Sequence, residues 1–260
     1  MKKIFLAFGA SILWASLVMA QQEPPVIPEG LGDGIHKEYY PSGEVRAEIN
    51  YMDGVPEGQF RHYYETGGLK SEGTFTDGKL SGSLKMYYEG GQLAKVEPYE
   101  NDKVNGVIKT YYPDGNLKEE GEYKDGILDG IGRDYYADGT LYREWNYKQG
   151  QREGTFKVYY ESGEIQKIMN YTDDVEDGPF TTYHKNGNIA SKGELKEGRR
   201  DGPLKVYDEQ GELAAEMNFR NDKRHGTFKY YSNGYLVREI TYSEGEELSR
   251  KEFPDAEKLF

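Results

Sequence analysis

The groups in this 260-residue chain that could move protons, hold a metal or attack a substrate are 46 carboxylates, 4 histidines and 24 tyrosines; there is no cysteine. The histidines are His36, His62, His184 and His225, and no two stand at a metal-ligand spacing such as HExxH. Each occupies a place where other stretches carry an aromatic, aliphatic or small polar residue, so each reads as a local variant rather than a ligand. No GxSxG elbow, phosphate-binding loop or calcium loop occurs, and the lack of cysteine removes thiol nucleophiles. Adjacent acids such as Glu119 and Glu120, or Asp173 and Asp174, would point to opposite sides of a strand. Nothing singles out a glycosidase-type carboxylate pair. The expected chemistry is recognition, with no catalytic residue, metal or cofactor.

Two of these residue types keep a beat. Tyrosine recurs every 24 residues, at Tyr39, Tyr63, Tyr87, Tyr111, Tyr135, Tyr159, Tyr183, Tyr207 and Tyr231. Counting each marker as position zero, position −2 is basic in eight of nine places: Lys37, Arg61, Lys85, Lys109, Arg133, Lys157, Lys205 and Lys229, with Thr181 the exception. Position +9 is acidic at Glu48, Glu72, Glu120, Glu144 and Glu216. A hairpin whose four-residue turn joins Tyr64 to Leu69 would set −2 across from +9 and the marker across from +7. Opposite charges placed so add about 0.2–1 kcal/mol per pair. One reading is a solvated ion-pair ladder that holds register, with each tyrosine ring laid along the lysine stems. The sharper reading is a partner-binding surface, for which the candidates are Tyr63, Tyr87, Tyr111, Tyr135 and Tyr159 with Arg61, Lys85, Lys109, Arg133 and Lys157.

The elements that must position these residues are strands. Each unit, such as Gln59 to Gly82, holds two short runs rich in Tyr, Phe, Val and Thr, closed by ETGG and by TDGKLSG. A glycine or turn pair arrives about every ten residues, too often for a helix. Glycines also repeat at Gly34, Gly58 and on to Gly226. The turn glycines Gly43, Gly67, Gly91 and their successors suit positive φ, and where the second turn lacks glycine it carries Asp102, Asp174 or Asp222. Position +6 is always aliphatic and +12 nearly always aromatic; with −3 and +1 they predict one aromatic-aliphatic seam, each large buried side chain stabilising by about 1.5–3 kcal/mol. The fold expected is all-β: an elongated antiparallel β-meander of about nine 24-residue β-hairpin repeats, rising about 10 Å per unit and spanning about 85 Å if open.

The first 20 residues differ from the rest. Lys2 and Lys3, an apolar run from Ile4 to Val18 and a small residue at Ala20 read as a secretory signal peptide. The expected order is leader 1–20, proline-rich flexible lead 21–33, array 34–242, and a charged cap or tail at 243–260. The mature chain would carry no transmembrane anchor and would be exported to the periplasm, the cell surface or the medium. Loss of the two leader lysines takes the net charge from −13 to about −15. That field repels nucleic acid and favours a basic protein partner. Tyrosine rows also offer a glycan or cell-wall-binding alternative, weakened because Trp145 is the sole tryptophan beyond the leader. A stalk that supplies reach is the third reading.

Units such as GTFKVYYESGEIQKIMNYTDD and GVIKTYYPDGNLKEEGEYKDGILDG resemble MORN repeats, in the bacterial variant of the YwqK-type antitoxin family. The resemblance covers residues 34–242, and nine units in register make it specific. It implies elongated β-hairpin arrays used in protein or membrane association, and a partner toxin that is bound and silenced. Such an antitoxin acts inside the cell. The leader therefore implies either an exported toxin or a member to which the antitoxin role does not extend.

Overall fold

The computed structural model describes residues 32–253; the leader, most of the proline-rich lead and residues 254–260 lie outside the described residues. Among the described residues there is no helix, and 24 strands form one antiparallel sheet in which each hairpin pairs with the next along the chain. Val55–Tyr63 and Leu69–Thr76 make one hairpin, Lys79–Tyr87 and Leu93–Glu100 the next. The meander read from the periodicity is the architecture observed.

Each unit uses two kinds of turn. In the first, the Gly67 amide donates to the Tyr64 carbonyl and the Tyr64 amide to the Gly68 carbonyl, with Gly67 at φ 86°. That three-residue loop places the marker tyrosine opposite position +6, as in Tyr63 with Leu69, and not opposite +7 as expected. The residue at +7 is left over as a bulge, and one step further along, the predicted pairing of −2 with +9 is restored. The second turn has two residues, for example Asp77 and Gly78 at φ 49° and 74°. This is the mirror-image turn that matches strand twist. Asp102, Asp174 and Asp222 adopt φ 67°, 67° and 65° in glycine's place. These turns stack along one edge: the Gly78 amide donates to the Pro56 carbonyl and the Asp102 amide to that of Leu80, both at 3.0 Å.

The glycine at position −5 is not part of a turn, although TDGKLSG suggests it. All nine, from Gly34 to Gly226, have φ between 75° and 133°; Gly58, Gly82 and Gly130 lie inside a continuous strand, and the other six open the strand that carries the marker. Around Gly130 three residues, Asp129, Gly130 and Ile131, stand opposite the single residue Glu122. The same irregularity recurs where Val55–Tyr63 and Lys79–Tyr87 meet the strand before them.

The seam is buried at −3 and +12, as expected, but also at +8 and +10: Ala47, Ile49, Tyr51, Phe60 and Leu84 form one apolar cluster, and Phe219, Phe228, Ile240 and Tyr242 another. Positions +1 and +6 are only half-buried. One sheet can bury rings this way because they lie across glycines on neighbouring strands. A Cβ on Gly73 would come within 2.7 Å of the Phe60 ring, and one on Gly132 would come closer still to the Trp145 indole nitrogen. Gly132→Ala is accordingly expected to destabilise by about 1–3 kcal/mol through overpacking. A urea midpoint unchanged from wild type would refute that contact.

The tail does not break the sheet at once. Glu246–Glu252 pairs with Tyr235–Ser243 as the last strand, all seven residues exposed and five of them charged. Charge on an outer strand discourages addition of further strands.

Candidate binding surface

On the outward face the bulges and turns bring −2, zero and +9 into one row. Each +9 carboxylate stands between two bases, because Glu48 pairs in register with both Lys37 and Arg61, and Glu72 with both Arg61 and Lys85. Lys37 Nζ lies 2.7 Å from Glu48, Arg133 lies 3.2 Å from Glu120 and 2.9 Å from Glu144, and Lys157 and Lys205 lie 3.1 Å from Glu144 and Glu216. Arg61 and Lys85 approach Glu72 less closely, at 3.7 and 3.9 Å. Lys109 stands between Val96 and Glu120 in register and forms no ion pair among the described residues.

The marker tyrosines join this row through their hydroxyls. Tyr63 donates to Glu48 at 2.9 Å, Tyr87 to Glu72 and Tyr135 to Glu120 at 2.8 Å, and Tyr231 to Glu216 at 3.1 Å. Each acceptor belongs to the preceding unit. Through its hydroxyl the tyrosine is thus a staple between units. The residue at the corresponding place for Tyr111 is Val96, which offers no carboxylate; the counterpart of Tyr159, Glu144, is held by Arg133 and Lys157. The Lys37 and Tyr63 hydrogen bonds hold the Glu48 carboxyl below its ordinary value. Burial raises that of Glu144, but the hydrogen bonds from Arg133 and Lys157 more than reverse it.

Glu144→Gln should weaken both pairs and lower stability by about 1 kcal/mol at neutral pH. A carboxyl held low in the fold stabilises above its unfolded value of 4.5 and stops doing so as pH falls through its folded value. The gap between wild type and variant in urea unfolding should therefore be present at pH 7 and shrink below pH 4.5. An equal gap at pH 3 would argue against the ion pairs as its source.

A second tyrosine row, not foreseen, lies at +1. Tyr40, Tyr64, Tyr88, Tyr112, Tyr136 and Tyr160 each donate to the backbone carbonyl of the next marker at 2.7–2.9 Å. The tyrosine doublet at zero and +1 was the sequence signal for it. His184 takes the seventh place, its Nε2 3.0 Å from the Tyr207 carbonyl.

The seam itself holds charge in its middle, which hydrophobic patterning does not predict. Glu97 is 3% exposed and pairs with Lys95 at 2.5 Å, beside Tyr99. Asp134 pairs with Arg143 and stands in register with Glu119. Burial, reinforced by Glu119, keeps the Asp134 carboxyl above its ordinary value despite Arg143. Asp134 Oδ1, Arg143 Nε and Trp145 Nε1 are buried without hydrogen-bond partners. Glu119 and Glu120 do point to opposite faces, one into this seam and one into the outer row.

The family described as MORN repeat variant matches this chain over residues 32–53, 56–77, 80–101, 104–125, 128–149, 152–173, 176–197 and 200–221. The chain belongs to the MORN repeat variant family. Its ninth hairpin, Gly226–Ser232 with Tyr235–Ser243, follows the last matched segment and closes with the two-residue turn Asn233-Gly234. Comparison with curated proteins gives no match. Among solved structures, a crystal structure of TcdB2-TccC3-Cdc42 is 13% identical with a TM-score of 0.19, covering 82% of this chain and 14% of its own. The Photorhabdus luminescens Tc holotoxin pore is 13% identical with a TM-score of 0.22, covering 82% and 14%. The chain spans about a seventh of each, and superpositions this loose establish no kinship.

In this MORN array the histidines are scattered, as their places in the repeat suggest. His36 contacts the Gly32 carbonyl, His62 the Ser71 hydroxyl, and burial lowers the His62 pKa. Among the described residues no group of three His, Asp or Glu is placed to hold a metal. No helix among them is long and apolar enough to cross a membrane.

Proposed function

We propose that the chain is an exported, non-catalytic scaffold that binds another protein along its sheet. The observation that carries this reading is the outer row: an ordered succession of charges and phenols, fixed in register across hairpin after hairpin and partly exposed to solvent. A surface pre-organised in this way loses little conformational entropy on binding. The deficit of positive charge over the whole chain favours a basic partner or basic segment by long-range attraction. Silencing a toxin in the manner of an antitoxin is the form of binding that the YwqK-type resemblance suggests, with the toxin itself exported.

The glycan alternative draws less support. Trp145, the strongest stacking residue beyond the leader, is 6% exposed and packed beneath Phe156 and over Gly132. The test is affinity capture with residues 21–260 against a cross-linked envelope and secretion extract. One protein retained in stoichiometric amount is expected. Retention of polysaccharide with no protein would transfer the role to glycan binding.

A further inference from the structure

The outer row changes character where the sixth, seventh and eighth units meet. From Lys37 to Lys157 it alternates base and acid, with one apolar break at Val96. Beyond Lys157 the successive places are Ile168, Thr181, Lys192 and Lys205, and the next carboxylate of the row is Glu216. Lys192 and Lys205 stand directly opposite each other, an arrangement that destabilises a sheet. Lys205 reaches Glu216 at 3.1 Å. Lys192 is exposed, makes no ion pair among the described residues, and lies 5.6 Å over the Tyr207 ring. Without a carboxylate in the row, the Tyr183 and Tyr207 hydroxyls form no hydrogen bond among the described residues, unlike those of Tyr63, Tyr87 and Tyr135. Glu194 is the acid nearest in sequence on this face, two residues past Lys192 and exposed.

A like-charge pair in a row that mostly alternates in sign, with Lys192 unpaired among the described residues, suits an anion that arrives from outside. We propose that the surface formed by Thr181, Tyr183, Lys192, Lys205 and Tyr207 docks an extended acidic segment of the protein partner. The two ammonium groups pair with its carboxylates, and the two phenols and the threonine hydroxyl donate hydrogen bonds to them. From Ile168 to Lys205 is three strand spacings, about 14 Å, the length of about four or five extended residues. This inference rests on the scaffold reading and specifies its contact; it places an acidic anchor inside a partner that need not be acidic overall.

The probe is fluorescein-labelled hexaglutamate, followed by anisotropy with the full chain. Wild type is expected to bind, more weakly as salt rises. Lys192→Glu restores the alternation, so it should lower affinity tenfold or more while leaving the urea midpoint unchanged or higher. Lys124→Glu makes the same charge change on an exposed residue elsewhere and should leave binding intact. Equal binding by wild type and Lys192→Glu, or equal loss in Lys124→Glu, overturns the proposal. So does pelleting with phosphatidylserine vesicles while hexaglutamate goes unbound, which would assign the patch to a lipid surface. Capture with both proteins separates the two readings. A partner held by wild type and by Lys192→Glu alike leaves the scaffold standing and removes this patch; a partner held by neither removes the scaffold.

Discussion

Raising the pH should unfold this protein in one steep step between pH 10 and about pH 12. Phenols of an unfolded chain ionise near their ordinary value of 10. In the fold, burial first, and then the neighbouring Glu72, Glu120 and Glu216, push Tyr87, Tyr135 and Tyr231 up to about 12. Burial and Glu119 do the same to Tyr123, and burial and Glu176 to Tyr171. A folded value raised above the unfolded one means that the stabilisation is whole below pH 10 and drains away as pH climbs through the folded value. Because these residues lie in units from the third to the ninth, their losses add along the array. Tyrosinate absorbance near 295 nm and the far-ultraviolet β signal should therefore change together. A broad, gradual rise in tyrosinate around pH 10 with the β signal intact would refute the staple role of the markers.

Phe228→Ala is expected to remove about 3–5 kcal/mol, the usual range for deleting a fully enclosed ring. Phe228 is 2% exposed, with the Phe219 and Tyr242 rings 5.4 and 4.9 Å away. Its cluster is separate from the one around Ile49 and Phe60. In an array each unit leans chiefly on its neighbours. The loss should therefore appear first as faster amide exchange in Gly226–Ser232 and Tyr235–Ser243, with exchange around Leu84 unchanged. Uniform acceleration along the whole chain would show instead that the sheet melts as one body.

Much of the fold was legible because turn chemistry is local. Glycine at Gly67, and aspartate at Asp102 where glycine is missing, announce positive φ whatever lies around them. Charge pairing at −2 and +9 was legible for the same reason, since opposite signs at fixed spacing imply a register. The bulges were not. A one-residue slip at +7 moves the marker from opposite Lys70 to opposite Leu69, and the glycine at −5 hides inside a string that reads as a turn. Nor does periodicity reveal that Lys95 and Glu97, or Asp134 and Arg143, sit in the seam: each is partly or fully buried beside an opposite charge that spacing alone does not assign to it. Of the candidate surface, Tyr63, Tyr87, Tyr135, Arg61, Lys85, Arg133 and Lys157 came together as a row. Their hydroxyls and charges proved to be engaged with each other more than residue type alone could tell.

The hydroxyls at +1, each reaching the backbone exactly one unit ahead, set a rule for how such a chain can change length. A gain or loss of one whole unit returns each +1 tyrosine to a waiting carbonyl and each stacked turn to its neighbour. A gain or loss of any other size breaks these contacts at the junction where it falls. The sheet therefore tolerates growth only in quanta, and its reach is a quantity that duplication can adjust without redesigning the hairpin.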